Sequence, residues 1–177
     1  MSNTTPPPGT VVLSADAIAA GIKDLAQRMA PEVSVNATCV ALMNGAFVFA
    51  ADLMRALYQE GVDPVFDALH LESYGDARQS QGRVRVRGDL SRSVAGHQVW
   101  VLDDVFDSGR TLAFAKAHIL AQGAAEVKTV ALVEKPWDGE RPITPDYVAF
   151  MAPADFLGGY GMDEAGRGRG RPEIVTL

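Results

Sequence analysis

VWVLDDVFDSGRTL, residues 99–112, decides how the rest of the chain is read. Its first four residues are apolar without a break, the pattern of a short strand covered on both faces, and we place a strand from Gln98 to Leu102. Two carboxylates, Asp103 and Asp104, follow at once. Asp107-Ser108-Gly109 then turns the chain into a helix carrying Leu112, Ala115, Ile119 and Leu120. Such a turn presents unpaired backbone N–H groups at a helix start, which suits a phosphate. The same residues admit a plainer reading, in which Asp107 or Ser108 caps the helix and Asp103 and Asp104 are solvated turn residues. Paired acids at the end of a buried strand weigh against it, because they are costly unless a cation or a sugar diol meets them.

Working outward, Thr38 to Met43 is a second continuous apolar run, followed by Asn44-Gly45-Ala46 and a helical pattern from Phe47 to Glu60 that aligns Phe49, Leu53 and Leu57. Gly61 ends it. Val65 to Leu71 and Arg83 to Arg87 read as strands separated by a polar loop, residues 73–82. The alternation of Arg83, Val84, Arg85, Val86 and Arg87 describes an exposed edge strand, with anion binding as the alternative. Beyond the deciding stretch, Gly123 closes the helix, and Val127 to Val133 and Tyr147 to Met151 are further strands. Ser14 caps a helix whose Ile18, Ile22, Leu25 and Met29 share one face until Pro31. Residues 1–10 read as a flexible tail and 11–177 as a single domain. Strands alternating with helices imply an α/β fold, a mostly parallel twisted sheet with flanking helices and ligands at the carboxyl ends of its strands.

Composition limits the partners. With 16 basic and 22 acidic residues, a net charge of −6 argues against a broad nucleic-acid surface, so an anionic ligand needs local help. The run Gly166 to Arg171 holds three arginines, too few for a nucleic-acid tract, and reads as a mobile phosphate clamp. No apolar run approaches the ~20 residues of a membrane-spanning helix, and the first residues carry neither a basic nor an apolar leader segment. Cys39, within ATCVALM, is expected to be an inert buried thiol in a reducing compartment. A soluble cytoplasmic protein is the expectation. His70, His97 and His118 show no metal-ligand spacing. Trp100 and Trp137 are read as packing residues.

The deciding stretch closely resembles the phosphoribosyl-diphosphate-binding motif of the type I phosphoribosyltransferases: a hydrophobic strand, two acids, two hydrophobes, Asp, Ser or Thr, Gly, a variable residue and Thr. MNGAFVFAADL (43–53), LESYGDARQSQGRVRV (71–86), LVEKP (132–136) and PADFLGGYGMDEAGRGR (153–169) resemble successive landmarks of the hypoxanthine-guanine branch of that family. The resemblance implies a type I phosphoribosyltransferase fold with a mobile loop and a small hood. It implies purine salvage: transfer of a phosphoribosyl group from phosphoribosyl diphosphate to hypoxanthine or guanine, with Mg²⁺ as cofactor.

Residue by residue, the resemblance makes Asp107 the proton-handling group near purine N7. It gives Ser108, Gly109, Arg110 and Thr111 the 5′-phosphate, and Asp103 and Asp104 the ribose hydroxyls, directly or through Mg²⁺. Asn44, Gly45 and Ala46 fall where pyrophosphate is received on backbone amides, although the basic residue common there is absent. Ser73 and Tyr74 match the start of the mobile loop. Lys135 is matched to the donor for the purine O6, Phe156 to the stacking aromatic, Leu157 to backbone recognition, Asp163 to a Mg²⁺ ligand and Arg169 to a pyrophosphate contact. Without the resemblance, Lys135 reads as a surface lysine, Phe156 as core and Asp163 as a helix cap. Family members are commonly dimers or tetramers, so a homo-oligomer without nucleic-acid or membrane partners is expected. The alternatives are a phosphoribosyl-diphosphate-sensing, nucleic-acid-binding regulator of the same fold, and a transferase for xanthine or a pyrimidine.

Overall fold

The computed structural model describes residues 9–74 and 83–177, so the tail before Gly9 and most of the expected mobile loop lie outside the described residues. The chain opens with β1 (Thr10–Leu13), a strand that the sequence reading missed and that takes Thr10 out of the tail. Ser14 caps α1 (Ala15–Met29) as expected, its Oγ accepting from the Ala17 amide at 3.2 Å. A 3₁₀ turn, Ala30–Glu32, follows. Next come β2 (Thr38–Met43), α2 (Phe47–Gln59), β3 (Val65–Tyr74), β4 (Arg83–Gly88) and β5 (Gln98–Phe106). The chain finishes with α3 (Arg110–Ala121), β6 (Glu126–Glu134), β7 (Tyr147–Met151), β8 (Leu157–Gly158) and β9 (Ile174–Thr176).

Six strands form one sheet in the order β4-β3-β2-β5-β6-β7, parallel throughout except for the antiparallel β3–β4 edge. The continuous apolar runs have the expected cause, since helices cover both faces. Trp100 and Leu102 of β5 pack with Ile18, Leu25, Phe49 and Leu53 of α1 and α2, while Val99 and Val101 pack with Leu112, Ala115 and Ile119 of α3. Cys39 is fully buried in the first cluster, where burial pushes its thiol up to about 12, so it is inert as a nucleophile. At the edge, Arg85 and Arg87 converge on Glu72 of β3, whose carboxyl they hold down at about 2. Those arginines are thus engaged by a carboxylate of their own sheet.

A second, three-stranded antiparallel sheet, β1-β9-β8, joins the two ends of the described chain, and Leu157 of β8 shares a cavity with Met43 and Val105 near the carboxyl ends of the central strands; this sheet is called the hood below. Among the described residues no helix is long and apolar enough to cross a membrane.

Candidate active site

β5 does not stop at Leu102. It continues to Phe106 and keeps its parallel register with β6, Asp103 opposite Ala131 and Phe106 opposite Glu134. Asp103 and Asp104 are therefore strand residues rather than turn residues, which corrects the sequence boundary. Pairing with β6 supplies the backbone order that their own low strand propensity does not.

The turn after Phe106 is held by backbone shape. Gly109 is the N-cap of α3 with φ +76, a left-handed conformation that glycine adopts without steric cost, and a Cβ there would lie 3.0 Å from the Phe106 ring. No side chain caps this helix, so neither Asp107 nor Ser108 is spent on the role that the plainer reading gave it. A small cup of about 50 Å³ lined by Asp107, Ser108, Gly109 and Thr111 sits at that uncapped end, and the helix dipole favours an anion in it. Arg110, the first helical residue, is exposed and lies outside the lining of the cup.

A larger cavity of about 450 Å³ adjoins it, sharing Asp103, Asp107 and Thr111. Four further segments reach it: Asn44 and Gly45 from the turn before α2, Lys135 after β6, Phe156 and Leu157 at the hood, and Asp163 with Arg169 beyond β8. Asp107 and Lys135 line one cavity because their strands are neighbours, and the Lys135 amide donates to the Phe106 carbonyl at 2.9 Å. Phe156 is 60% exposed, which excludes the core reading and leaves its ring free to cover a flat ligand. Leu157 is buried and pairs with Thr176 of β9.

Asp163 caps no helix. One carboxylate oxygen accepts from the Gly166 amide at 2.6 Å and the other pairs with Arg169 at 2.5 Å. Arg169 also donates to the Gly161 carbonyl at 2.7 Å. The arginine expected to be mobile is held at the cavity wall.

The turn after β2 is tighter than its sequence suggests. The Ala46 amide donates to the Leu42 carbonyl at 3.2 Å, a bond made inside the turn. Asn44 is exposed, and its peptide bond with Met43 is cis. Gly45 lies against Asp104, where a Cβ would fall 2.0 Å from a carboxylate oxygen; only glycine permits that approach. Ser73 and Tyr74, expected to begin a loop, instead end β3 in register with Val84 and Arg83. Leu42, Leu71, Val105 and Met162 also line the cavity. Sequence reading gave them no role in the site, because apolar side chains look like ordinary core.

Asp103 is only 7% exposed, and burial together with the Asp104 charge beside it raises its proton affinity well above the carboxylate range. Burial raises Asp104 as well. Two carboxylates that resist joint ionisation are a site for a divalent cation or a vicinal diol, so the pair fits Mg²⁺. Asp163 fits it only after leaving Arg169.

The buried pair also sets a stability cost. Below about pH 3 both folded and unfolded carboxyls are protonated and the cost vanishes. As pH rises, the unfolded chain ionises freely while folded Asp103 keeps its proton, so stability falls until the folded group ionises too. Asp103→Asn removes this cost. In EDTA at pH 7 the variant is expected to melt about 2–4 °C higher, the shift that ~1 kcal/mol gives a chain of this size, with the gain fading towards pH 3. Thermal melts across that range check it, and a lower melting point at pH 7 contradicts it.

Comparison with known proteins agrees with this geometry. A family model for the phosphoribosyl transferase domain matches residues 11–165. The chain is 36% identical over 170 residues to the bifunctional protein TilS/HprT of Listeria monocytogenes serotype 4b, covering 94% of this chain but only 26% of that relative's length. It is 32% identical over 170 residues to the hypoxanthine-guanine phosphoribosyltransferase of Bacillus subtilis, covering 94% of this chain and 92% of that one. A solved structure of the Trypanosoma cruzi hypoxanthine phosphoribosyl transferase superposes with a TM-score of 0.89 at 29% identity, covering 99% of this chain and 94% of the other. The deciding stretch, the parallel sheet and the uncapped turn thus have one common account: the chain belongs to the phosphoribosyl transferase domain family.

Proposed function

We propose that the protein is a purine-salvage enzyme that transfers the 5-phosphoribosyl group of phosphoribosyl diphosphate to a 6-oxopurine, hypoxanthine or guanine, releasing pyrophosphate. The observation that carries this reading is the placement of Asp107 and Lys135 on one cavity beside the uncapped start of α3. A ribose 5′-phosphate in the cup meets the helix N-terminus and the hydroxyls of Ser108 and Thr111. The ribose hydroxyls then fall to Asp103 and Asp104, and the base lies between Phe156 and the wall made by Asp107 and Lys135. The relatives' activities support the same assignment.

In the reaction N9 of the purine bonds to C1′ as the C1′–O bond to pyrophosphate breaks and its electron pair leaves with pyrophosphate. Asp107 takes the proton that the base loses. Lys135 donates to the purine O6, a contact that an exocyclic amine cannot accept. Arg169 faces the departing pyrophosphate with a positive charge. Asp103 and Asp104 would hold Mg²⁺, which would supply further positive charge to offset the charge of the pyrophosphate.

The test is a panel of hypoxanthine, guanine, xanthine, adenine and uracil, each with phosphoribosyl diphosphate, followed by absorbance with Mg²⁺ and in EDTA. Turnover of hypoxanthine or guanine with at least ~10²-fold preference over adenine is expected, with activity lost in EDTA. Preference for uracil or xanthine would assign another base, and no turnover at all would favour the regulatory alternative.

A further inference from the structure

Arg141 lies in the segment between β6 and β7, outside every motif that marks the site. Its side chain is only 21% exposed. Nε donates to the backbone carbonyl of Asp107 at 2.9 Å, one terminal nitrogen donates to the carbonyl of Lys135, and the other pairs with the Glu134 carboxylate. The guanidinium also lies 4.5 Å from the centre of the buried Phe106 ring. Phe106 closes the circuit, since its carbonyl accepts from the Lys135 amide. One planar group thus ties the two loops that carry the site's acid and its ammonium group.

The purine presents N7 and O6 along a single edge. A carboxylate handling the proton at N7 and an ammonium donating to O6 must therefore keep a fixed separation. In this chain the two residues come from different strand ends, and β5–β6 pairing stops at Phe106 and Glu134, one residue short of both. Beyond that point the spacing depends on what joins the two loops. We propose that Arg141 is a positioning residue that sets the separation of Asp107 and Lys135 by bonding both of their backbone carbonyls, an inference that rests on the 6-oxopurine reading above. The task suits arginine because its rigid fork reaches several acceptors at fixed angles, whereas a lysine offers one point charge. On Asp107 and Lys135 it bonds only the backbone carbonyls, so it leaves both side chains to the ligand.

The experiment compares the full-length wild type with Arg141→Lys and Arg141→Gln, each alone and combined with Lys135→Gln. For Arg141→Lys the KM for hypoxanthine is expected to rise about tenfold, roughly what one hydrogen bond from a charged group supplies. The KM for phosphoribosyl diphosphate should stay within about twofold, because Arg141 does not line the cup and touches Asp107 there only through its carbonyl. With Lys135 already replaced, the Arg141 substitution should change the hypoxanthine KM by less than about twofold, since one of the two groups whose separation it sets, the O6 donor, is gone. If Arg141→Gln does not fold, Arg141→Lys, which keeps the charge and much of the packing, decides the matter alone. An unchanged hypoxanthine KM in a folded Arg141→Lys enzyme overturns the proposal, as does an equal loss in the Lys135→Gln background, the mark of a merely structural residue. A wild type that turns over no 6-oxopurine overturns the functional reading itself, which an active wild type with indifferent Arg141 variants does not.

Discussion

Asp107→Asn is expected to lower turnover by about 10²–10⁴, the range over which a positioned acid–base group contributes, while the protein folds as before. The fold is expected to survive because the Asp107 carboxylate holds nothing together: Gly109 is the N-cap of α3 and no side chain closes that helix. What anchors the residue is its carbonyl, bound by Arg141, and asparagine keeps that carbonyl. Asparagine also keeps the size of the side chain, but it cannot take a proton. The loss should therefore fall on kcat, with the KM for phosphoribosyl diphosphate little changed. The same factor should appear in the reverse direction, where pyrophosphate and the nucleotide regenerate the base, because one group serves both directions. Steady-state rates in the two directions, with a thermal melt to confirm the fold, make the measurement. Turnover equal to wild type would remove Asp107 from the mechanism.

What could be read in advance follows from which interactions are local. β2, β5 and β6 were legible because a strand covered on both faces leaves a continuous apolar run, and α1 because Ser14 and four apolar residues at helical 4-3-4 spacing declare it. The phosphate turn was legible for a related reason: its shape depends on Gly109, and its neighbours follow in fixed order. β1, β8 and β9 were missed. They are two to four residues long and exist only because distant parts of the chain pair with one another, which no local pattern records. The same holds for the extension of β5 through two acids, where register with β6 overrides propensity. Asp163 and Arg169 were marked one by one, but their pairing was not, and Arg141 gave no signal at all. A lone arginine in a polar connection looks like solvated surface until its acceptors, six and thirty-four residues away, are seen.

Lys135→Gln tests the other half of the site, and its readout is selectivity. Lysine offers only donors, so facing the base it rewards a keto oxygen and opposes an amino group. A hydrogen bond from a charged donor is worth about 1.5–3 kcal/mol, roughly 10–150-fold in kcat/KM, and its setting in a half-buried wall favours the upper part of that range. Glutamine presents both a donor and an acceptor on a shorter, uncharged arm, so it weakens the contact with O6 and lifts the penalty on a 6-amino group. The expected result is a fall of about 10² in kcat/KM for hypoxanthine, with adenine unchanged or slightly improved, so that the ratio between the two bases collapses. The KM for phosphoribosyl diphosphate should barely move, because Lys135 does not line the phosphate cup. Competition assays with the two bases in one mixture measure the ratio directly and cancel differences in active enzyme concentration. A preserved ratio with an equal loss on both bases would mean that Lys135 supports the wall without reading the purine, and the discrimination would then lie with backbone groups around Leu157 and Asp163.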